Sequence, residues 1–521
     1  MKLNREILRL AVPSILANIT VPLVGMVDMA VVGHLGGVEG YAGAALIGGI
    51  SVGTMLFDLL YWNFAFLRAG TGGLTAQAYG RKDTSETGRI LARALRIALL
   101  SGVALIALQW VVVQLAFLLV DCSPEVQALA TRYFYIRIWA APATLSLFAL
   151  KGWFIGLQDT LRPMLTDLWV NLTNILLSVG LAYGLHVGAA PGSGAMATSA
   201  LSPAAGVSVL DSGAGAVTLL PTLGFAGVAW GTVMAQWTGL FLAILMTRKY
   251  LSLSHFLIIL VQKSNENFQQ SPDTQRVANH TDFTPTTPEE APSAQAASFF
   301  TLNRDLFLRS VGMIAVYIGF TVIGAGLGNR MLAVSSILMK LLLLFSYFTD
   351  GFAYAGEALT GRFIGEQNQD GVRSTVRGTF AWGFGLAGTF MLLYGLGGTP
   401  LLQLMTSDAS VVEAGRAFLP WLLLMPLIGC PAFTWDGIYI GATASKDLRN
   451  STLLCAMGFF AVWFAGRWLL AATGIGTPNL TPETSLHLLM AAYFVHLAIR
   501  SLYQTVRYRP AVLRPHFGSD S

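Results

Sequence analysis

Residues 7–33 read ILRLAVPSILANITVPLVGMVDMAVVG, an apolar stretch long enough to cross a membrane and charged only at Arg9 and Asp28. An ionisable side chain inside a bilayer costs at least ~2.5 kcal/mol, so such residues usually face a cavity and serve ion or substrate movement. Asp28 therefore indicates a membrane protein that transports something. A structural ion pair is the alternative role, although the sequence offers no obvious basic partner nearby.

The composition agrees with a membrane setting. Of 521 residues, 54% are hydrophobic and only 11% are charged, whereas soluble domains carry about 25% charged residues. We predict an all-α polytopic membrane protein with twelve transmembrane helices, which places both termini on the same side. The apolar runs are centred near residues 20, 55, 105, 145, 174, 235, 316, 344, 387, 428, 462 and 494.

The basic residues predict the orientation. Loops on the side of the termini carry most of them, including Arg81, Lys82 and Lys446, while the opposite loops carry few, such as Arg132 and Arg416. By the positive-inside rule, both termini are expected in the cytoplasm and the protein in the inner (plasma) membrane. The net charge of +5 reflects this asymmetry and contact with the lipid bilayer, and indicates no nucleic-acid surface.

The N-terminus and the cysteines give two further expectations. The first residues are interpreted as the basic flank of an uncleaved first span, because the apolar run is too long for a signal peptide. Cys122, Cys430 and Cys455 are far apart and have neither CxxC spacing nor a histidine cluster. They predict no disulfide framework and no metal site.

Two segments break the apolar pattern. Residues 187–221 are rich in Gly, Ala, Ser and Pro and are predicted to form a flexible external loop. Residues 263–297 are polar and Pro-punctuated, as is typical of a disordered linker. The expected domains are an N-terminal six-helix lobe (1–250), a cytoplasmic linker (251–300), a C-terminal six-helix lobe (301–508) and a cytoplasmic tail (509–521).

The two halves look like copies of each other. LNRE at residues 3–6 recurs as LNRD at residues 302–305, and an offset of 285 aligns Gly156 with Gly441. Six spans return the chain to the same side, so the repeat is parallel, and such repeats place a substrate site at their interface. The chain has no Gly-Lys pair and hence no phosphate-binding GxxxxGK[ST] motif. An ion gradient or a passive path is therefore expected to drive transport.

Four motifs resemble the multidrug and toxic compound extrusion (MATE) transporters, specifically their DinF-type branch. The resemblance implies two six-helix lobes around a central cleft that opens alternately to either side, with Na⁺ or H⁺ entry exchanged for drug exit. It covers all twelve spans and leaves out the two polar segments. The motifs are LAVPSILANITVPLVGMVDMAVVGHLG (10–36), YWNFAFLRAGTGGLTAQAYG (61–80), TDGFAYAGEALTGRFIG (349–365) and WDGIYIGATASKDLRNS (435–451).

The resemblance also implies an ion-coupling site at Asp28, Asn174, Ser178 and Thr232, with Asn171 on the same helix face as Asn174 and Ser178. No cofactor is implied, and the coupling ion is H⁺ or Na⁺. Where the family pattern has a second carboxylate this chain has Ser178, which leaves one formal charge at the site. A desolvated carboxyl among neutral neighbours favours its protonated form, so we prefer protons. Interhelical hydrogen bonding is the alternative role for the neutral residues.

Further residues are candidates for the cleft and for gating. In the resembling family, a bend near the proline matching Pro13 accompanies protonation; Pro22 is more simply a kink. Lys151 and Asp436 are repeat-equivalent, so we predict that they pair across the cleft when its cytoplasmic side closes. Snorkelling of Lys151 to the interface is the alternative. Predicted substrate-cleft residues are Tyr61, Trp62, Phe64, Met339, Lys340, Tyr347 and Asp350. For the Met and aromatic residues among them, contact with lipid or packing in the core is the alternative.

The preferred function is a secondary active antiporter, not an enzyme, which exports amphiphilic, cationic small molecules as a monomer. Export of organic anions is the alternative, because Lys340 and Ser178 both shift the cavity toward positive charge. Two other hypotheses are weaker. A flippase for lipid-linked precursors would need more cationic residues in the cleft, and a non-transporting receptor would not explain Asp28.

Overall fold

The structure is a computed structural model that describes residues 2–35, 43–119, 122–187, 217–251, 292–405, 409–472 and 481–518. Within these residues, twelve helical segments are long and apolar enough to cross a membrane. Each of the twelve predicted centres falls inside one of them, which confirms the predicted fold class. Neither proline breaks the first span, because α1 continues through Pro13 and Pro22.

The first lobe contains six of the spans. Two of them are built from two helices in sequence, α2 with α3, and α6 with α7 through a short 3₁₀ turn. Its helices are α1 (Lys2–His34), α2 (Gly43–Trp62), α3 (Ala65–Gly80), α4 (Thr84–Ala107), α5 (Gln109–Leu119), α6 (Pro124–Arg137), α7 (Ala141–Gly156), α8 (Leu161–Tyr183) and α9 (Phe225–Thr247).

The second lobe contains the other six spans. A π-helical turn, Arg509–Leu513, joins its last span to a final short helix. Its helices are α10 (Pro292–Ala325), α11 (Asn329–Gly365), α12 (Gln369–Met405), α13 (Ala409–Arg416), α14 (Leu419–Gly441), α15 (Ser445–Ala472), α16 (Pro482–Tyr508) and α17 (Arg514–Phe517).

The backbone confirms the internal repeat. Among the described residues, only four other than glycine have a positive φ: Lys82, Gln158, Gln367 and Thr443. They form two pairs at the offset of 285, and each follows the end of a membrane helix. Left-handed backbone is uncommon outside glycine, so its recurrence at equivalent positions shows that both lobes end these helices in the same way.

The lobes pack together on the side where α1 begins and α16 ends, which we call the terminal side. One apolar core there joins residues of both lobes, such as Ile7 and Ile155 of the first with Leu359 of the second. A Cβ on Gly80 would overlap the carbonyl oxygen of Arg362 and lie 2.9 Å from the Cα of Gly365, the repeat partner of Gly80. The cleft between the lobes is therefore closed on the terminal side.

Three segment predictions need correction. The predicted external loop begins and ends as an antiparallel pair of strands, β1 (Leu185–Val187) and β2 (Val217–Leu220). The predicted linker extends too far, because α10 begins at Pro292. The predicted tail is not a free end, since Ala511, Val512 and Leu513 are buried in the core that joins the lobes. The rest of the loop, 188–216, and of the linker, 263–291, lies outside the described residues.

The glycine contact predicts how the closed side can be opened. Gly80→Leu should force the lobes apart on the terminal side, because the new side chain has no space beside Arg362 and Gly365. Spin labels at exposed Ser85 and Ser374, one in each lobe, should report longer distances by pulsed electron resonance. The matched control is Gly385→Leu, because a Cβ at Gly385 meets nothing within 4 Å. An unchanged distance distribution in Gly80→Leu would contradict this assignment of the closed side.

Candidate functional site

The predicted ion-coupling residues come together inside the first lobe, between α1, α8 and α9. Asp28 is 8% exposed, and Asn174, Ser178 and Thr232 are buried with it. Gly231 allows this approach, since a Cβ there would lie 2.7 Å from the backbone nitrogen of Ser178 and 2.9 Å from its hydroxyl. The small residue on α9 thus brings two helices into direct contact at the site.

Three buried oxygens at this site lack a hydrogen-bond partner among the described residues: Asp28 Oδ1, Asn174 Oδ1 and Ser178 Oγ. The amide of Asn174 donates to the Thr232 hydroxyl at 2.8 Å, and that hydroxyl donates to the backbone carbonyl of Val228 at 3.2 Å. The amide nitrogen of Asn174 is thus bound to Thr232, and its oxygen is left without a partner. Buried oxygens without partners are costly, and a proton on Asp28 or a small cation would satisfy them.

Asn171 lies outside this cluster of oxygens. Its amide donates to the Thr20 hydroxyl at 2.5 Å, so it ties α8 to α1. Pro13 has no N–H for the carbonyl of Arg9, and the hydroxyl of Thr160 reaches that carbonyl at 3.5 Å. Both contacts hold α1 against α8, and a bend at Pro13 would have to disturb the second.

Sequence reasoning missed a partly buried cation whose charge acts on Asp28. Arg137 lies at the end of α6, and its charge acts on Asp28 and also on Asp58 of α2. Its Nη1 donates to Tyr133 Oη at 3.1 Å and to Thr54 Oγ1 at 3.4 Å, and its guanidinium lies 4.8 Å from the centre of the Phe57 ring. A lone arginine near the middle of a span was the available signal.

The predicted cleft residues separate into those near the other lobe and those inside a lobe. Trp62 is 39% exposed and its ring lies 5.1 Å from that of Tyr317 in the second lobe. The backbone carbonyl of Tyr347 accepts a bond from Asn18 across the lobes at 3.3 Å. Lys340 is exposed and, by heptad spacing, shares the α11 face of Tyr347.

Three of the predicted cleft residues are instead packing residues. Met339 is 8% exposed and belongs to the core of the second lobe, so its assignment to the cleft is wrong. Tyr61 and Phe64 pack around the small core of Leu67, Ala98 and Leu145 in the first lobe. Side chains of this kind fill helix contacts in any bundle, and their periodicity does not tell which face is open.

The predicted pair of Lys151 and Asp436 is also wrong, because it is absent although the terminal side is closed. Lys151 instead binds Asp167 of its own lobe at 2.6 Å. Among the described residues, two ion pairs join the lobes: Arg362 with Glu6 at 3.3 Å, and Arg68 with Glu357 at 3.0 Å, in which Glu357 is fully buried. Glu357 occupies the repeat position of Gly72, so the contact is asymmetric and the repeat could not predict it.

Asp436 belongs to a buried cluster in the second lobe. It accepts bonds from Arg309 of α10 and Arg500 of α16, and from the amide of Gln504 at 3.1 Å. Two guanidinium groups on one carboxylate leave this cluster with a net positive charge. The charges of Arg309 and Arg500 also act on the carboxyl of Asp350. Asp350 thus has Arg68, Arg309 and Arg500 among its charged neighbours, together with Asp436.

The described residues contain no group of three or more His, Cys, Asp or Glu that could hold a metal ion. The oxygens at Asp28 suit a proton or a hard monovalent cation, since hard cations take oxygen ligands. Parallel six-helix lobes around a cleft, with a buried carboxylate site in one lobe, define a secondary transporter.

Comparison with known proteins identifies the kind of transporter. The MatE family model matches residues 13–179 and 306–478, one segment in each lobe. The chain is 30% identical over 467 residues to the DNA damage-inducible protein F of Escherichia coli (strain K12), covering 89% of this chain and 86% of that protein. It is 24% identical over 502 residues to a probable multidrug resistance protein NorM of Bradyrhizobium diazoefficiens, covering 95% and 93%.

A solved structure shares the fold. The Vibrio cholerae MATE transporter VcmN in the bent form matches with a TM-score of 0.74 and 14% identity over 99% of both chains. The chain therefore belongs to the MatE family, whose members are multidrug efflux transporters and not enzymes. The predicted resemblance to MATE transporters and their DinF-type branch is confirmed.

Proposed function

We propose that this protein is an antiporter that exports amphiphilic cations in exchange for protons, with Asp28 as the proton-carrying residue. The observation that carries the proposal is the set of buried oxygens without partners at Asp28, Asn174 and Ser178. A proton on Asp28 makes its carboxyl a hydrogen-bond donor and removes a buried charge. Protonation therefore changes the contacts between α1 and α8.

That change can reach the cleft through α1. This helix contacts the second lobe as well, through the amide of Asn18 and the carbonyl of Tyr347. A shift of α1 against α8 on protonation would alter this cross-lobe contact. We propose that proton binding at Asp28 and the opening of the lobes are linked in this way, and that the two sides of the membrane gain access to the cleft in turn.

The setting in the membrane is part of the proposal. The placement of Lys and Arg supports a cytoplasmic location for the terminal side, so a cleft closed there faces outward. The proposed domains are the lobes 1–250 and 301–508, the linker 251–300 and the segment 509–521. We propose that one chain suffices for transport, because the cleft lies between the lobes of a single chain and no nucleic acid or second protein is needed to form it.

The side chains that face the cleft bear on whether the substrate is a cation or an anion. Asp58 supplies a carboxylate near the aromatic rings of Trp62, Tyr317 and Tyr347, a setting that suits a flat cation. Organic anions are the second candidate, because Lys340 is exposed on the same face of α11 as Tyr347. The two candidates predict opposite results with charged test compounds.

The purified protein in liposomes tests the function. We expect ethidium to move against its gradient when a pH gradient is imposed, and citrate not to move. A sodium gradient alone should drive neither compound. Citrate transport without ethidium transport would favour the anion exporter, and transport under a sodium gradient alone would contradict the choice of proton.

Ser178 stands where the family pattern has a second carboxylate, and this difference predicts which ion is coupled to transport. Ser178→Asp should introduce or strengthen sodium dependence, because it adds a second anionic oxygen donor to a site built from oxygens. Ethidium efflux measured with and without a sodium gradient checks this, and Ser178→Asn is the uncharged control. If the wild type already requires sodium and ignores pH, the preference for protons is wrong.

A further inference from the structure

A second carboxylate, Asp58, lies on the wall of the cleft in the first lobe. It is exposed and stands one turn before Trp62 on α2, whose ring contacts Tyr317 of the second lobe. The charge of Asp58 acts on the hydroxyls of Tyr317 and Tyr347, so it faces the other lobe and not the lipid. A cation that enters the cleft would meet Asp58 between aromatic rings.

Arg137 lies near Asp58 and is held by hydrogen bonds to neutral groups, not by an ion pair. Among the described residues, no acidic oxygen lies within the 4.0 Å of an ion pair to Arg137. Its bonds go to hydroxyls, of which Thr54 lies one turn before Asp58 on the same face of α2. A guanidinium bound only to neutral groups can move toward a carboxylate without breaking an ion pair.

The charge of Arg137 acts on two carboxylates, Asp28 and Asp58, to which we assign different roles. The titratable groups that act on it are Asp28 from α1, Asp58 and Tyr61 from α2, and Tyr133 from α6 itself. The tyrosines are neutral at ordinary pH. The charge of Arg137 is thus shared between the ion-coupling carboxyl and the carboxyl in the cleft.

We propose that Asp58 binds the cationic group of the substrate and that Arg137 links its availability to the protonation of Asp28. When Asp28 is ionised, it holds the charge of Arg137, and Asp58 is free to bind a cation. When Asp28 takes up a proton, Arg137 turns to Asp58 and displaces the cation. Substrate and proton then exclude each other without sharing a site, which is the coupling that an antiporter requires.

This inference rests on the proposed function, and it is tested by equilibrium binding. The protein in lipid nanodiscs is titrated with ethidium, followed by fluorescence anisotropy, at an acidic and at an alkaline pH. We expect the wild type to bind at least ~10-fold more tightly at alkaline pH. Asp58→Asn should lose at least ~10-fold in affinity at alkaline pH, while binding of the uncharged probe N-phenyl-1-naphthylamine should not change.

Arg137 is a positioning residue, because it is proposed to act through Asp58 and not to touch the substrate. Its variants are therefore compared by the pH dependence of ethidium affinity, which the loss of a packing contact alone would not change. Arg137→Gln should bind ethidium with nearly the same affinity at both pH values, whereas Arg137→Lys should keep the pH dependence. The matched control is Asp370→Asn, an exposed acid in the first turn of α12. Thermal stability of each variant separates lost binding from lost folding.

Two results would overturn the inference. One is unchanged ethidium affinity in Asp58→Asn, and the other is full pH dependence in Arg137→Gln. Either could occur while proton-driven export still depends on Asp28, in which case the proposed function stands alone. Failure of proton-driven export in the wild type would instead remove the proposed function.

Discussion

Asp28→Asn should abolish proton-driven export, lowering the initial rate of ethidium transport at least ~100-fold, the equivalent of about 2.7 kcal/mol in the barrier. The amide has the size of the carboxyl but takes up no proton in the physiological range. Folding should persist, because the amide can donate to a buried oxygen of the site that has no partner, such as Ser178 Oγ. The measurement is ethidium flux into liposomes under an imposed pH gradient.

The matched control for this variant is Asp370→Asn, which removes a carboxylate at an exposed position. It should transport like the wild type. Equal thermal stability of both variants would show that the loss arises at the site. Normal proton-driven transport by Asp28→Asn would remove Asp28 from the mechanism and with it the proposed coupling.

Asp436→Asn should destabilise the protein by about 3–5 kcal/mol, because removing one partner of a buried ion pair leaves uncompensated charge. Here two cations would remain, and the side chain of Arg500 is only 2% exposed. Without Asp436, Arg309 and Arg500 would also repel each other. The measurement is the melting temperature in detergent, followed by size-exclusion chromatography after heating.

Glu483→Gln provides the comparison, since it breaks the pair with Arg330 in which both side chains are about half exposed, 51% and 54%. The free energy of unfolding should fall by no more than ~1 kcal/mol in this variant. Adding Arg309→Gln to Asp436→Asn should recover part of the stability, because it removes one of the two unpaired charges. Equal melting temperatures of Asp436→Asn and the wild type would show that the cluster is not buried as described.

The membrane spans and the repeat could be predicted from the sequence because each depends on the chain alone. Apolar runs of span length identify membrane helices wherever they occur. The offset of 285 also identified glycines that later proved to make equivalent contacts: Gly156 lies against α3 and Gly441 against α11. These features need no knowledge of which helices are neighbours.

The contacts between helices could not be predicted in the same way. Pairing Lys151 with Asp436 assumed that equivalent positions face each other, but the cation that reaches the second lobe is Arg68. Its partner Glu357 aligns with a glycine in the repeat, so the internal repeat gives no indication of this ion pair. Met339 was misplaced because the sequence does not show which face of α11 is open.

The candidate ion-coupling site was predicted only in part. The family pattern selected Asp28, Asn174, Ser178 and Thr232, and the structure brings them together. Arg137 was missed because the family pattern drew attention to acids and amides, although a basic residue inside a span carries the same physical signal as Asp28.

Proton coupling is tested most directly by following protons and sodium ions in one sample. Liposomes that contain the wild-type protein and a pH-sensitive dye are given an ethidium gradient, with sodium movement followed by a radioactive tracer. We expect protons to move opposite to ethidium without coupled sodium movement, and the proton signal to be lost in Asp28→Asn. Ethidium transport accompanied by sodium and not by protons, or by neither ion, would contradict proton coupling.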